Sequence, residues 1–310
     1  MTNGTHSYVG AVGLALLLTL VGCSAPVSED AAIGRSATPT AASTAEAGGS
    51  DVTAELEGLE QEFGARVGVS ALDTATGEAV TYRADERFGF ASTLKVFAVA
   101  ELLRQVPADQ RDTRITWTQD DVDEAGYSPV TSEHVHDGLT LAELAEAAVR
   151  ESDNAAMNLI LDQIGGLAGL DDALAELGDV TTEVVNEEPD LNRIDPTGTA
   201  DTTTPAAFTA ALAALLRPEN LRDGDRAVLI DWMSENATGD ALVRAGAPDN
   251  WAVADKSGGA GAIRNDIAVV TPPDRAPILI TVLTTKDDVT AEYDDALVAR
   301  TAEIVLAALE

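Results

Sequence analysis

Cysteine is almost missing: Cys23 is the single one in 310 residues. No disulfide can therefore form within the chain, and a small disulfide-stapled scaffold is excluded. Histidine is nearly as scarce, at His6, His134 and His136. His134 and His136 alternate as on a strand, yet no cysteine or third histidine stands near them in sequence. They read as surface residues, and a zinc hydrolase is disfavoured. Positive charge is also short, with Lys and Arg totalling 19 against 53 Asp and Glu, a net charge of −34. Such a surface repels the phosphates of nucleic acid and the headgroups of an anionic bilayer, so neither is an expected partner of the folded part. Only Lys95, Lys256 and Lys286 are lysines. The preference for Arg beside abundant Ala reads as codon bias, or as an acidic surface adapted to high salt, where self-repulsion is screened. What is plentiful is apolar residue, at 45%. At about 150 residues per domain, this length and composition give roughly two compact units with a core that needs no metal or disulfide.

The apolar run Val9–Val21 is too short to span a bilayer, which takes about 20 residues, and reads as the apolar region of a secretory signal. Leu20-Val21-Gly22-Cys23 closes it and resembles a bacterial lipobox, in which the cysteine receives lipid and becomes the new N-terminus. The resemblance implies a lipoprotein signal peptide over 1–23, export, and a lipid anchor on the outer side of the cytoplasmic membrane as the one membrane contact. Residues 24–50, rich in Ser, Ala, Thr, Pro and Gly, read as a flexible tether.

From Asp51 the pattern is a helix (Leu56, Leu59, Phe63), then strands over 67–72 and 79–82 joined at Thr74-Ala-Thr-Gly77, a hairpin signal. Helical periodicity fills 92–104, 139–150, 153–164, 170–177, 205–216 and 224–235. Strands return at 251–255, 265–271 and 278–284, and an amphipathic helix over 288–309 ends the chain. Strands at both ends with helices between predict an α/β plus all-α architecture: an antiparallel sheet built from both chain ends and flanked by helices, with an inserted all-helical domain. The α/β domain is then discontinuous, 51–83 with 236–310, and the helical domain is 84–235. No internal repeat is present.

Three short motifs carry chemistry. Ser92-Thr-Leu-Lys95 opens an apolar helix, and positions i and i+3 share a helix face, so the hydroxyl and the amine come within hydrogen-bond reach. A lysine whose pKa is depressed by burial can activate a serine, and a helix N-terminus favours a developing oxyanion. Taken alone, Ser92 is as easily a helix cap. Ser152-Asp-Asn154 joins two helices and Lys256-Ser-Gly258 follows the strand 251–255. Each is ordinary by itself, but in this order they resemble the S-x-x-K, S-D-N and K-T-G signature of class A β-lactamases and penicillin-binding proteins, the third element here reading Lys-Ser-Gly, a hydroxyl-for-hydroxyl change. Glu188-Pro-Asp-Leu-Asn192, within the polar stretch 186–201, resembles the Ω-loop of class A β-lactamases, which penicillin-binding peptidases lack.

The likeness to class A β-lactamases extends over essentially all of residues 51–310, including Tyr127-Ser-Pro-Val130, the stretch Met233–Gly246, Asp255 and the spacing from Ser92 to Ser152, Glu188 and Lys256. It implies that Ser92 attacks the lactam carbonyl, its proton passing to Lys95 or, through water, to Glu188. Backbone N–H groups of Ser92 and Gly259 would hold the oxyanion. Ser152, assisted by Lys256, would protonate the departing nitrogen, and Glu188 with Asn192 would deliver water to the acyl-enzyme. Tyr127, Asn154, Thr238, Ser257, Gly258 and Arg264 would bind substrate, Arg264 facing the carboxylate that β-lactams carry. No cofactor or metal is implied, and a monomer is expected.

The sequence departs from the family at one informative place. An Arg usually sits two residues before the catalytic Glu and pairs with the Asp at the end of the loop; here that position is Asn186, while Asp201 remains. The expectation is that another donor such as Arg193 compensates, or that the loop is looser and deacylation slower. With Ala91 next to the serine and Cys23 the lone thiol, the disulfide of some carbapenem-hydrolysing members is impossible. Two other readings stay open at this stage: a D-Ala-D-Ala carboxypeptidase, and a non-hydrolysing penicillin-binding lipoprotein that serves as decoy or sensor.

Overall fold

The computed structural model describes residues 49–310. Cys23, the signal peptide 1–23, His6 and all but the last two residues of the expected tether lie outside the described residues. Helix α1 (Gly49–Phe63) leads into the hairpin β1 (Ala65–Asp73) and β2 (Ala79–Tyr82), then a short β3 (Phe88–Gly89). A 3₁₀ turn at Ala91–Leu94 runs straight into α2 (Lys95–Gln105), followed by β4 (Arg114–Ile115), α3 (Gln119–Ala125) and β5 (Leu139–Thr140). Helices α4 (Leu141–Arg150), α5 (Asn154–Ile164) and α6 (Gly166–Glu176) come next, then β6 (Thr202–Thr203), α7 (Pro205–Leu215), α8 (Asp223–Ser234) and the single-turn α9 (Val243–Gly246). Strands β7 (Ala252–Ala260), β8 (Ile263–Thr271) and β9 (Ile278–Lys286) and helix α10 (Asp295–Ala307) close the chain. Among the described residues, no helix is long and apolar enough to cross a membrane.

The main sheet is antiparallel in the order β2-β1-β9-β8-β7, so its middle joins the two ends of the chain, with Val69 opposite Val282 and Ser257 opposite Asp266. Both faces of the sheet are covered, which is why β8 and β9 are buried along almost their whole length rather than at alternate residues. One face packs Val67, Val69, Ile280 and Val282 against Leu56 and Leu59 of α1 and Val298 and Val305 of α10. The other turns Ala254, Ile267, Val269 and Leu279 toward the helices, where Leu94, Phe97, Met157 and Phe208 fill the centre. Helix α2 is buried along every residue from Lys95 to Leu103. A helix with no exposed stripe belongs at the middle of a fold, and this one carries a lysine there.

The element ends differ from the sequence reading in ways that matter for the site. Strand β7 does not stop at Asp255 but continues through Lys256-Ser-Gly258 to Ala260, paired residue for residue with β8, which starts at Ile263 and includes Arg264. The last helix starts at Asp295, not near 288, because the Asp294 side chain accepts from Ala296 N at 3.0 Å and ends the preceding loop. A helix over 119–125 was not expected; a capping box between Thr118 and Asp121 starts it. His134 and His136 lie in a turn region rather than on a strand.

Candidate active site

Ser92 sits in the 3₁₀ turn ahead of α2, and Ala91 before it is held at φ 47°, a left-handed conformation that a non-glycine residue adopts only under constraint. That constraint is visible. Strand β7 passes so close that a Cβ on Gly258 would stand 3.0 Å from the Phe90 carbonyl oxygen and 3.2 Å from Ser92 N. The lack of a side chain at 258 is what lets the strand lie along the turn that carries Ser92.

The i, i+3 spacing brings Ser92 and Lys95 to one face, and there the Ser92 hydroxyl donates to Glu188 Oε1 at 3.2 Å. The Lys95 ammonium has its three donors spent on Ser152 O (2.7 Å), Asn154 Oδ1 (2.7 Å) and Glu188 Oε1 (3.1 Å). Lys95 and Glu188 are both essentially out of solvent, and burial is the main cause that moves the lysine pKa down, partly opposed by the Glu188 charge. The second Glu188 oxygen accepts from Asn192 Nδ2 at 2.8 Å. Its main chain is clamped by Asn158, which accepts from Glu188 N at 3.0 Å and donates to Glu188 O at 2.9 Å. Asn158 had no motif to mark it. It lies one turn after Asn154 on α5, and an i, i+4 pair of asparagines there is the only signal that could have found it.

Ser152 is also held at positive φ, 57°, at the entry to α5. Asp153 fixes this corner: its carboxylate caps α5 at Ala156 N and accepts from Val130 N, Thr131 N and the Thr131 hydroxyl, all within 2.9 Å. Lys256 is fully buried and donates to Ser152 Oγ at 3.0 Å and to the Ser257 carbonyl at 2.8 Å. Burial, reinforced by the nearby Lys95 charge, pushes the Lys256 ammonium down to about 7 against the pull of Asp266, Asp255 and Glu188. Asp255 and Asp266 are raised by burial in turn, and the Arg244 guanidinium, 2.5 Å from Asp255 Oδ1, opposes this for Asp255.

Above these buried groups opens a cleft of about 480 Å³, lined by Ser92, Tyr127, Asn154, Asn192, Ser257 and Gly259 among others. Thr238 and Ser257 share a hydroxyl hydrogen bond of 2.7 Å at its wall. Arg264 also lines it, but not as a free cation: Nε donates to Asp295 at 2.6 Å and the guanidinium lies over the Tyr293 ring. Asp295 and Tyr293 carried no motif, and the misplaced start of the last helix hid them. Among the described residues, no group of three or more His, Cys, Asp or Glu side chains is arranged to hold a metal ion.

In the loop that carries Glu188 another donor does meet Asp201, and it is Asn186 itself rather than Arg193. Arg193 points to the surface and pairs with Asp190 at 3.1 Å. Asp201, buried and itself at φ 56°, is held by Asn186: the amide Nδ2 donates at 2.6 Å and the backbone N–H groups of Val185 and Asn186 at 2.9 and 3.0 Å. Three neutral donors replace the missing cation.

Comparison with known proteins places this geometry. A sequence model of the β-lactamase enzyme family matches residues 51–309. A β-lactamase of Bacillus licheniformis is 48% identical over 81% of this chain and 81% of its own length, and one of Amycolatopsis lactamdurans is 44% identical over 83% and 85%. A class A β-lactamase structure from Clostridium kluyveri superposes with a TM-score of 0.81 at 42% identity, covering 84% of this chain and 98% of that one.

Two outcomes follow from the geometry. Removing the amide in Asn186→Ala strips one of three donors from a buried carboxylate, and should lower the unfolding free energy by about 1–3 kcal/mol in urea titrations. For Lys256, a folded-state pKa near 7 means that the ammonium is lost as pH rises through that value. Affinity of the cleft for an anionic substrate should fall over that window, read as kcat/KM against pH, and Lys256→Arg, which stays charged, should flatten the fall.

Proposed function

Because this chain belongs to the class A β-lactamase family and is a β-lactam hydrolase, we propose that it turns over through an ester on Ser92 that water, activated by Glu188, then cleaves. The observation that carries this reading is the Glu188 carboxylate, buried and held within 3.2 Å of the Ser92 hydroxyl. In the first half-reaction Ser92 Oγ bonds to the lactam carbonyl carbon while its proton passes to Glu188, the base that the resting hydrogen bond favours over Lys95. Lys95 stabilises the carboxylate and fixes Ser152 and Asn154 around it. The backbone N–H groups of Ser92 and Gly259 receive the oxyanion, with β7 and the 3₁₀ turn held in place by the close approach at Gly258. As the carbon–nitrogen bond breaks, Ser152 gives its proton to the nitrogen and is resupplied from Lys256, whose lowered pKa suits it to hand a proton on near neutral pH.

Before the second half-reaction the proton that Glu188 took from Ser92 returns to Lys256, which restores the carboxylate. A water then takes the place beside Glu188 and Asn192, loses a proton to the carboxylate and attacks the ester. Glu188 gives that proton to Ser92 Oγ as the ester C–O bond breaks. The products are free Ser92 and a ring-opened acid. Asn158 matters here as a positioning residue, because it fixes the main chain from which the Glu188 side chain springs. Penicillin-binding peptidases lack a carboxylate of this kind, and a decoy that stops at the ester has no use for one, which weighs against the carboxypeptidase and decoy readings. Arg264, Thr238 and Ser257 meet the substrate carboxylate, and Tyr127 and Asn154 its side-chain amide end.

The remaining parts of the reading are organisational. We propose a division into an α/β domain (51–83 with 236–310) and a helical domain (84–235). Export with lipid attachment at Cys23 and a monomeric, strongly acidic mature protein complete it; the lipobox-like quartet and the −34 net charge support these.

The full chain should hydrolyse a chromogenic cephalosporin continuously. Glu188→Ala should give a burst of about one equivalent and a persistent mass adduct on Ser92. Continuous turnover by Glu188→Ala would overturn the assignment.

A further inference from the structure

The cleft carries two exposed aromatic rings, and only Tyr127 belongs to a motif. Tyr293 is the other, 41% exposed and at the β7–β8 end of the cleft. Three contacts fix it there. Its N–H donates to the Gly261 carbonyl at 3.0 Å, in the turn between β7 and β8. Its ring covers the Arg264 guanidinium, the carbon lying 4.7 Å from the centroid. Its Cε1 stands 3.3 Å from the point where a Cβ on residue 259 would be, so the ring rises beside the strand edge at Gly259. Arg264 cannot turn away, because Asp295 holds Nε.

These positions define a direction in the bound substrate. The carbonyl that Ser92 attacks lies at Gly259, and the carboxylate lies toward Arg264, Thr238 and Ser257. In a cephalosporin the carboxylate-bearing carbon is bonded on one side to the lactam nitrogen and on the other to C3. A substituent on C3 therefore leaves the ring beside the carboxylate, toward the Tyr293 ring. Penicillins have no planar group there; their five-membered ring carries two methyl groups. We propose that Tyr293 is a specificity-determining residue whose ring stacks on planar substituents at C3 of cephalosporins, favouring these over cephalosporins with a small C3 group. The proposal rests on the acyl-enzyme reading of Ser92 for the orientation of the substrate.

The alternative is that Tyr293 merely holds Arg264, which would affect every carboxylate-bearing substrate alike. The test separates the two. With the full chain, kcat and KM are measured for two cephalosporins that share a C7 side chain and differ at C3, one methyl and one styryl, with benzylpenicillin as a third substrate. Tyr293→Ala should lose about three- to tenfold in kcat/KM on the styryl compound, mainly through KM, as expected for one lost aromatic contact. The other two substrates should stay within about twofold of the parent. Tyr293→Phe, which keeps the ring, should retain the styryl preference and also shows that loss of fold is not the cause. Equal losses on all three substrates, or no loss on any, would overturn the proposal. Failure of the unsubstituted chain to hydrolyse any of them would overturn the acyl-enzyme reading itself, a distinguishable result.

Discussion

Two ammonium groups and a carboxylate are kept out of water in one cluster, Lys95, Lys256 and Glu188. Burying charge is costly unless every donor and lone pair finds a partner, and much of the fold serves that requirement. Lys95 needs two acceptors besides Glu188, and the strained corner at Ser152–Asn154 supplies both. That corner needs Asp153 to hold it against the loop at Val130–Thr131. Glu188 needs a fixed main chain, which Asn158 provides from α5, and a loop whose own buried Asp201 is satisfied by Asn186. The Ser92 hydroxyl is one more donor in this network. The side chains that satisfy the buried charges are the ones that the proposed mechanism uses.

Burial, reinforced by the nearby Lys95 charge, lowers the affinity of Lys256 for its proton, which is what the proposed relay through Ser152 needs. Asp255 and Asp266 lie behind it on adjacent strands and moderate the effect, with Arg244 bound to Asp255 from the far side. Around the cleft the problem is the opposite. A chain with a surplus of 34 negative charges must receive an anionic substrate, and it does so with few cations. Most arginines are already engaged in ion pairs, and Arg264 shares its charge with Asp295. Hydroxyls of Thr238 and Ser257 add donors without adding charge.

Much of this was legible in the sequence because the reactive groups come in short linear motifs. Ser92 and Lys95 share one turn; Ser152 and Asn154 share one corner; Lys256 and Ser257 are neighbours on one strand. Strand runs at both ends and helical periods between them also suffice for the architecture, since a sheet covered on both faces leaves apolar runs that cannot be missed. The unmarked parts are those that act through space from single residues. Tyr293 has no sequence partner at a telling spacing, Asn158 has only Asn154 one turn before it, and Arg244 lay inside a matched stretch with no role attached to it. Helix ends were misjudged where a side-chain cap, such as Asp294, overrode apolar periodicity. The Asn186 substitution looked like a loss because a sequence shows a missing cation but not two backbone N–H groups turned toward Asp201.

Water can free Ser92 only if the 188 side chain stays beside the ester while it exists. A crystal structure of the Glu188→Gln chain trapped with benzylpenicillin tests it most directly. The expected result is an ester on Ser92 with an ordered water between the ester carbonyl carbon and the side chains of residue 188 and Asn192. An ester with the 188 side chain swung into bulk solvent, and no water on that face, would contradict it.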